Sequence, residues 1–208
     1  MNNGFTKQKI GILGGTFNPI HLGHLIMAEQ AREFAGLDKV LFMPTGVSYM
    51  KNAKEIQSAY HRATMIQKSI QENPFFELSY VELNKSGNTY TCETLIELHQ
   101  IYPDTEFYFI VGADCLFTIQ NWYHPQEIFD NCILLVATRN HVTLEKMTEK
   151  KEYLEREFHG KILLMPMNDI EISSSDIRSR LLQNKTVRYL MHEEVHAYIQ
   201  DNNLYKDN

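Results

Sequence analysis

His21 and His24 stand one turn apart in GILGGTFNPIHLGHL (11–25), where an apolar run passes through Gly14-Gly15 into a helical pattern. Glycines at the end of a buried strand let the backbone approach an anion closely, and a following helix presents N–H groups and its positive dipole end. Imidazoles at that helix start add donors for phosphate oxygens, with Gly23 keeping the space between them clear. Pro19 suits the tight turn that precedes them. Two other readings share these residues. One is metal ligation, for which no third ligand stands nearby; the other is the capping polarity of an ordinary turn. The glycines fit neither GxGxxG nor GxxxxGK[ST], which disfavours a dinucleotide fingerprint and a P-loop ATPase.

Elements able to hold such a site are visible along the chain. Apolar runs at 9–13, 39–44, 105–112, 132–138 and 161–166 predict strands buried on both faces of a parallel sheet. Helical patterns fall near 22–35, 58–72, 92–101, 143–158, 174–183 and 192–201, the first with Leu22, Leu25, Ala28 and Ala31 facing inward. This alternation predicts an α/β fold with a doubly wound parallel sheet, whose ligands bind at the carboxyl edge. Residues 76–90 read as an extended piece with a Gly-Asn turn. The charged stretch 145–157 reads as a solvated helix face, as do His192 and His196, which are i,i+4 neighbours.

With 208 residues, 43% of them hydrophobic, the chain can bury a sizeable core. A net charge of −6 argues against broad nucleic-acid binding but leaves room for a small basic pocket. No run is long enough to span a membrane, and the N-terminus has no apolar signal core. Cys92, Cys115 and Cys132, odd in number and without close spacing, read as reduced thiols in a cytoplasmic protein. A homo-oligomer stays open.

GGTFNPIHLGHL is similar to the first signature of the nucleotidylyltransferase superfamily, whose (H/T)xGH motif is His21-Leu22-Gly23-His24 here. ISSSDIR (172–178) resembles the second signature of its adenylyl-transferring members, ISS(T/S)xxR. HRATM (61–65), TYTCETL (89–95), FIVGAD (109–114), NWY (121–123) and ATR (137–139) resemble one branch, the bacterial nicotinate mononucleotide adenylyltransferases. Pantetheine-phosphate adenylyltransferases are shorter and lack the GAD…W segment, and cytidylyltransferases carry a different second signature. Two positions depart from the pattern: Asn18 stands where many members have Asp, and GVSYMK (46–51) replaces a loop resembling PPHK.

The resemblance implies a single Rossmann-like nucleotidylyltransferase domain over 1–208, with C-terminal helices (about 174–201) packed on it. It implies ATP and nicotinate mononucleotide as substrates, deamido-NAD and pyrophosphate as products, and Mg²⁺ carried with ATP, without a protein metal cage. Catalytic roles fall to His21, His24 and Arg178. ATP would be bound by these three with Gly14, Gly15, Thr16, Phe17, Gly112, Asp114, Arg139, Ser174 and Ser175. Ser174 and Ser175 would begin a helix, capping it or binding phosphate, and Asp114 would accept ribose hydroxyls or cap a helix. Lys51, Thr91 and Trp122 would bind the acceptor, Thr91 through its backbone amide and Trp122 by stacking. Without the resemblance, Trp122 reads as packing, Lys51, Arg139 and Arg178 as surface residues, and His61-Arg62 as structural or binding. Other acceptors (nicotinamide mononucleotide, phosphopantetheine) and a non-catalytic nucleotide-binding module remain alternatives.

Overall fold

The computed structural model describes residues 7–46, 56–138, 143–168 and 170–206. The apolar runs form strands β1 (Gln8–Gly15), β2 (Lys39–Pro44), β4 (Thr105–Gly112), β5 (Ile133–Thr138) and β6 (Ile162–Pro166), with a three-residue β3 at Phe76–Leu78. All pair in parallel, in the order β3-β2-β1-β4-β5-β6. This is the doubly wound α/β sheet expected. Its order reverses between β1 and β4, the switch point where such sheets open a crevice. The register shows the opening: β1 stays paired with β2 through Gly15, whereas its pairing with β4 ends at Leu13↔Ile110.

The strands read as continuous apolar runs because both faces are covered. On one face Leu13, Phe42 and Ile110 pack with helices α1 (Leu22–Ala35), α2 (Ala59–Ile70), α7 (Ser174–Leu182) and α8 (Glu193–Asp201). On the other, Ile10, Ile12, Leu41 and Phe109 meet α3 (Thr91–Ile101), α4 (Ala113–Thr118), α5 (Pro125–Asn131) and α6 (Leu144–Phe158). Residues at alternate positions of β1 therefore serve opposite cores, the period-2 rule of a strand.

Helix α1 ends at Gly36, whose φ of 61° sits in the left-handed region, with Leu37 N–H returning to the Arg32 carbonyl. Its buried face is Gly23, Met27, Ala28 and Ala31. Leu22 and Leu25, expected on the inward stripe with Ala28 and Ala31, are only half-buried; Gly23 and Met27 take the inward positions instead. The segment 76–90 is extended only over β3 and then turns, with Gly87 at φ 87°. Helices α4 and α5 carry no sequence periodicity of their own, being one to two turns long. α6 buries Met147 and Leu154 and exposes most of its charged residues, while His192 is the N-cap of α8. The three cysteines form no disulfide, and burial pushes their thiols up, Cys132 to about 12. Among the described residues no helix is long and apolar enough to cross a membrane.

Candidate active site

β1 delivers Gly14 and Gly15 to the carboxyl edge of the sheet, and the chain then turns through a cis Asn18–Pro19 bond before α1 begins. Phe17 takes a φ of 49° in that turn, held by burial against Phe42 and edge-on contact with the His24 ring at 4.9 Å. His21 is the N-cap of α1, and its backbone N–H donates to His24 Nδ1 at 3.2 Å. The capping reading of these histidines therefore holds in part, and it has a chemical consequence. With Nδ1 occupied as an acceptor, a neutral His24 carries its proton on Nε2, which becomes a donor. The two rings stack at 3.7 Å between centroids. A Cβ on Gly23 would lie 3.1 Å from His21 Nδ1, so a larger residue would crowd the imidazole.

The second signature closes on this turn. Its helix α7 is capped by Ser173, whose hydroxyl accepts from Asp176 N–H; Ser174 and Ser175 are the first helical residues, not the cap. Being one position inward frees Ser174 to point back, where its hydroxyl donates to the Pro19 carbonyl at 2.8 Å. Arg178 Nη1 donates to the Asn18 carbonyl at 2.8 Å, and Nη2 reaches Ser175 Oγ at 3.5 Å. His21, His24, Ser174 and Arg178 are thus joined around one turn. Gly112 caps α4, with Asp114 exposed in its first turn across the crevice from Gly14-Gly15. Lys51 and Arg139 lie outside the described residues.

A cavity of about 350 Å³ opens beside the crevice. Gly14, Gly15 and Thr16 form one wall, Met43 and Thr45 flank the end of β2, and Tyr90, Phe109, Trp122 and Tyr123 supply its aromatic surface, with Thr91 and Glu82 among the other lining residues. Trp122 is half-buried and sits edge-on to Phe109 at 6.2 Å; Tyr90 and Tyr123 pack 4.4 Å apart at its side. Thr91 is the first residue of α3, so its amide belongs to the turn that has no intrahelical acceptor. Size does not distinguish this cavity, since a cleft of about 610 Å³ lies beside α1 at Thr138 and Met165. Its convergence of aromatic walls, a helix N-terminus and the glycine turn does.

A family model described as Cytidylyltransferase-like matches residues 12–180. A "Probable nicotinate-nucleotide adenylyltransferase" of Lachnoclostridium phytofermentans is 38% identical, over 95% of this chain and 99% of its own length. Its namesake in Desulfitobacterium hafniense strain Y51 is 40% identical over 99% of this chain and 100% of its own. The chain belongs to the cytidylyltransferase-like family, in its nicotinate-nucleotide adenylyltransferase branch. Two solved structures share the fold at 21% identity, each covering 95% of this chain and 97% of the other. They are Plasmodium falciparum nicotinic acid mononucleotide adenylyltransferase complexed with APC, TM-score 0.77, and complexed with NaAD, TM-score 0.78.

Two residues of the HRATM segment and one outside every motif also shape the site. Arg62 is buried and donates to three carbonyls: Thr16 at 2.9 Å, Thr45 at 2.8 Å and Gln57 at 3.1 Å. It ties the loops after β1 and β2 to the start of α2, and His61 Nδ1 meets the Tyr198 hydroxyl at 2.8 Å. Both residues of the HR pair thus make structural contacts in this fold. Glu82 is a buried carboxylate lining the cavity, accepting from the hydroxyls of Thr89 and Thr94 at 3.1 Å each and from the Gly46 N–H. A Cβ on Gly46 would lie 2.5 Å from the Glu82 carbonyl, so the close approach requires glycine there. Nothing in FELSYVEL separates Glu82 from its solvated neighbours; only the tertiary contacts do.

Burial pushes the Glu82 carboxyl up, against the opposing pull of Thr89, Thr94, the Lys85 charge and the Gly46 amide. A carboxyl whose folded pKa exceeds its unfolded one supports the fold most at low pH and loses that support as pH rises through the folded value. Relative to the parent, Glu82→Gln is therefore expected to gain in Tm as pH is raised from about 4.3, the ordinary Glu value, to about 7. A Tm difference that stays flat over that range would contradict the raised carboxyl.

Proposed function

We propose that this chain transfers the adenylyl group of ATP to nicotinate mononucleotide, giving deamido-NAD and pyrophosphate in NAD biosynthesis. The observation that carries the proposal is the meeting of the two signatures at the switch point, next to the aromatic cavity. One half of the site gathers groups suited to phosphate; the other offers an aromatic-walled pocket suited to a flat ring.

In the proposed reaction an oxygen of the acceptor 5′-phosphate attacks the α-phosphorus of ATP. The bond from that phosphorus to the bridging oxygen breaks, and pyrophosphate carries away the electron pair. A phosphate monoester dianion is already a competent nucleophile, so positioning and charge stabilisation supply the catalysis. His24 Nε2–H would donate to an α-phosphate oxygen in the transition state, with His21 beside it, a role supported by the occupation of His24 Nδ1 as an acceptor. Arg178 spends Nη1 on Asn18 and keeps further N–H donors for the departing phosphates. Gly14 to Phe17 offer backbone around the nucleotide, Gly112 and Asp114 its ribose site, and Thr91 its amide to the pyridine carboxylate. Lys51 and Arg139 are proposed for the acceptor phosphate and for ATP.

Mg²⁺ is proposed to arrive as part of the MgATP substrate. Among the described residues no group of three His, Cys, Asp or Glu converges, and the donors here are N–H and hydroxyl groups suited to the phosphates themselves. Cytoplasmic action and small-molecule partners alone, without nucleic acid or membrane, belong to the same proposal.

Purified protein incubated with MgATP and each acceptor in turn tests the reading by product separation. Formation of the deamido dinucleotide is expected, and no product with nicotinate mononucleotide would overturn it. A strong preference for the nicotinamide form would reassign the acceptor. His24→Ala is expected to lower kcat by about 10²–10³, the range for losing one transition-state donor, with Tm retained. Trp122→Ala should raise the acceptor KM and leave that of ATP in place; an unaltered acceptor KM would reduce Trp122 to packing.

A further inference from the structure

After α8 the chain makes one last turn. Leu204 N–H returns to the Ile199 carbonyl, and Asn203 and Tyr205 both take positive φ, 51° and 61°. That geometry turns Leu204 and Tyr205 inward, where both are buried. The ring of Tyr205 joins the core formed by α1, α2, α7 and α8, and its hydroxyl reaches the turn between β1 and α1. It donates to Asn18 Oδ1 at 2.8 Å, an oxygen that also accepts the Gln57 N–H at 3.1 Å. The carbonyl of the same Asn18 holds Arg178 Nη1 at 2.8 Å. A chain of hydrogen bonds therefore runs from the C-terminal turn to the arginine of the second signature.

We propose that Tyr205 is a positioning residue for ATP, acting through Asn18 to aim the Arg178 guanidinium at the phosphates. The proposal rests on the adenylyl-transfer reading for its ligand. Tyr205 touches no reacting atom in this arrangement; its effect passes entirely through Asn18. Its chemistry suits the task. A phenol donates a hydrogen bond while remaining neutral, so it fixes Asn18 without cancelling the charge of Arg178. A carboxylate in that place would pair with the guanidinium and compete with ATP. The phenol lies within the fields of both Arg62 and Arg178, yet burial outweighs them and keeps it in its protonated, donating form. Nothing about Tyr205 as a packing residue requires the hydroxyl, since a phenylalanine ring would fill the same space.

Tyr205→Phe in the full chain isolates that hydroxyl. ATP Kd by calorimetry is expected to weaken up to about 12-fold, the upper worth of one neutral hydrogen bond, with Tm lowered by no more than a few degrees and the acceptor KM unmoved. In an Arg178→Ala background the same substitution should change ATP Kd less than about twofold, because the arginine it positions is gone. Asn18→Ala reads the link from its other end: it should weaken ATP binding, and adding Tyr205→Phe should weaken it no further. Equal losses in the parent and Arg178→Ala backgrounds would overturn the proposal, as would an unchanged ATP Kd or an effect confined to the acceptor. The binding arm needs no acceptor, so parent protein that binds ATP but forms no dinucleotide would count against the adenylyl reading alone.

Discussion

The carbonyls of Asn18 and Pro19 belong to neither the sheet nor a helix, and α7 supplies a donor to each, Arg178 to one and Ser174 to the other. A buried carbonyl left without a partner costs on the order of 1–3 kcal/mol, so these two bonds hold the turn in place as well as joining the signatures. Arg62 repeats the device nearby, spreading one buried cation over three loop carbonyls, with no ion pair to it among the described residues. The carboxyl edge of the sheet is thus held by guanidinium groups meeting backbone oxygen.

Much of this was legible because the physics is local. Strands covered on both faces must be continuously apolar, so β1, β2, β4, β5 and β6 stand out at close to their observed bounds, and α1 is delimited by His21 and Gly36. The short α4 and α5 escape because seven residues cannot display a 3.6-residue period. Within the site, the two signatures name His21, His24 and Arg178, since motif residues travel with their chemistry. The serine run shows where the difficulty lies: three consecutive serines can each cap a helix, and only the backbone decides that Ser173 does so. Glu82 and Tyr205 escape for a different reason: a lone carboxylate or tyrosine announces nothing until partners distant in sequence bury it. Arg62 stands out in HRATM, yet its three carbonyl partners appear only in the fold.

The two halves of the site are built from different materials. The half proposed for phosphate is a turn cross-tied by α7, with donors whose directions are set by other bonds. The half proposed for the pyridine is a cavity of aromatic rings and one helix end, steadied at its wall by Glu82 through Thr89, Thr94 and Gly46. Splaying of β1 from β4 past Leu13 and Ile110 is what lets these halves face each other.

The span of the contacts at Asn18 also bears on when the site can exist. Arg178 closes a loop of 160 residues and Tyr205 one of 187. Loop-closure entropy rises only slowly with length, so such contacts are affordable once the intervening sheet has formed, but they are inherently slow to find. The carbonyls of the turn after β1 gain their partners only when α7 is in place, so the stretch that holds His21 and His24 does not set its own geometry. Its shape is a tertiary property, fixed jointly by α7 and by the turn after α8.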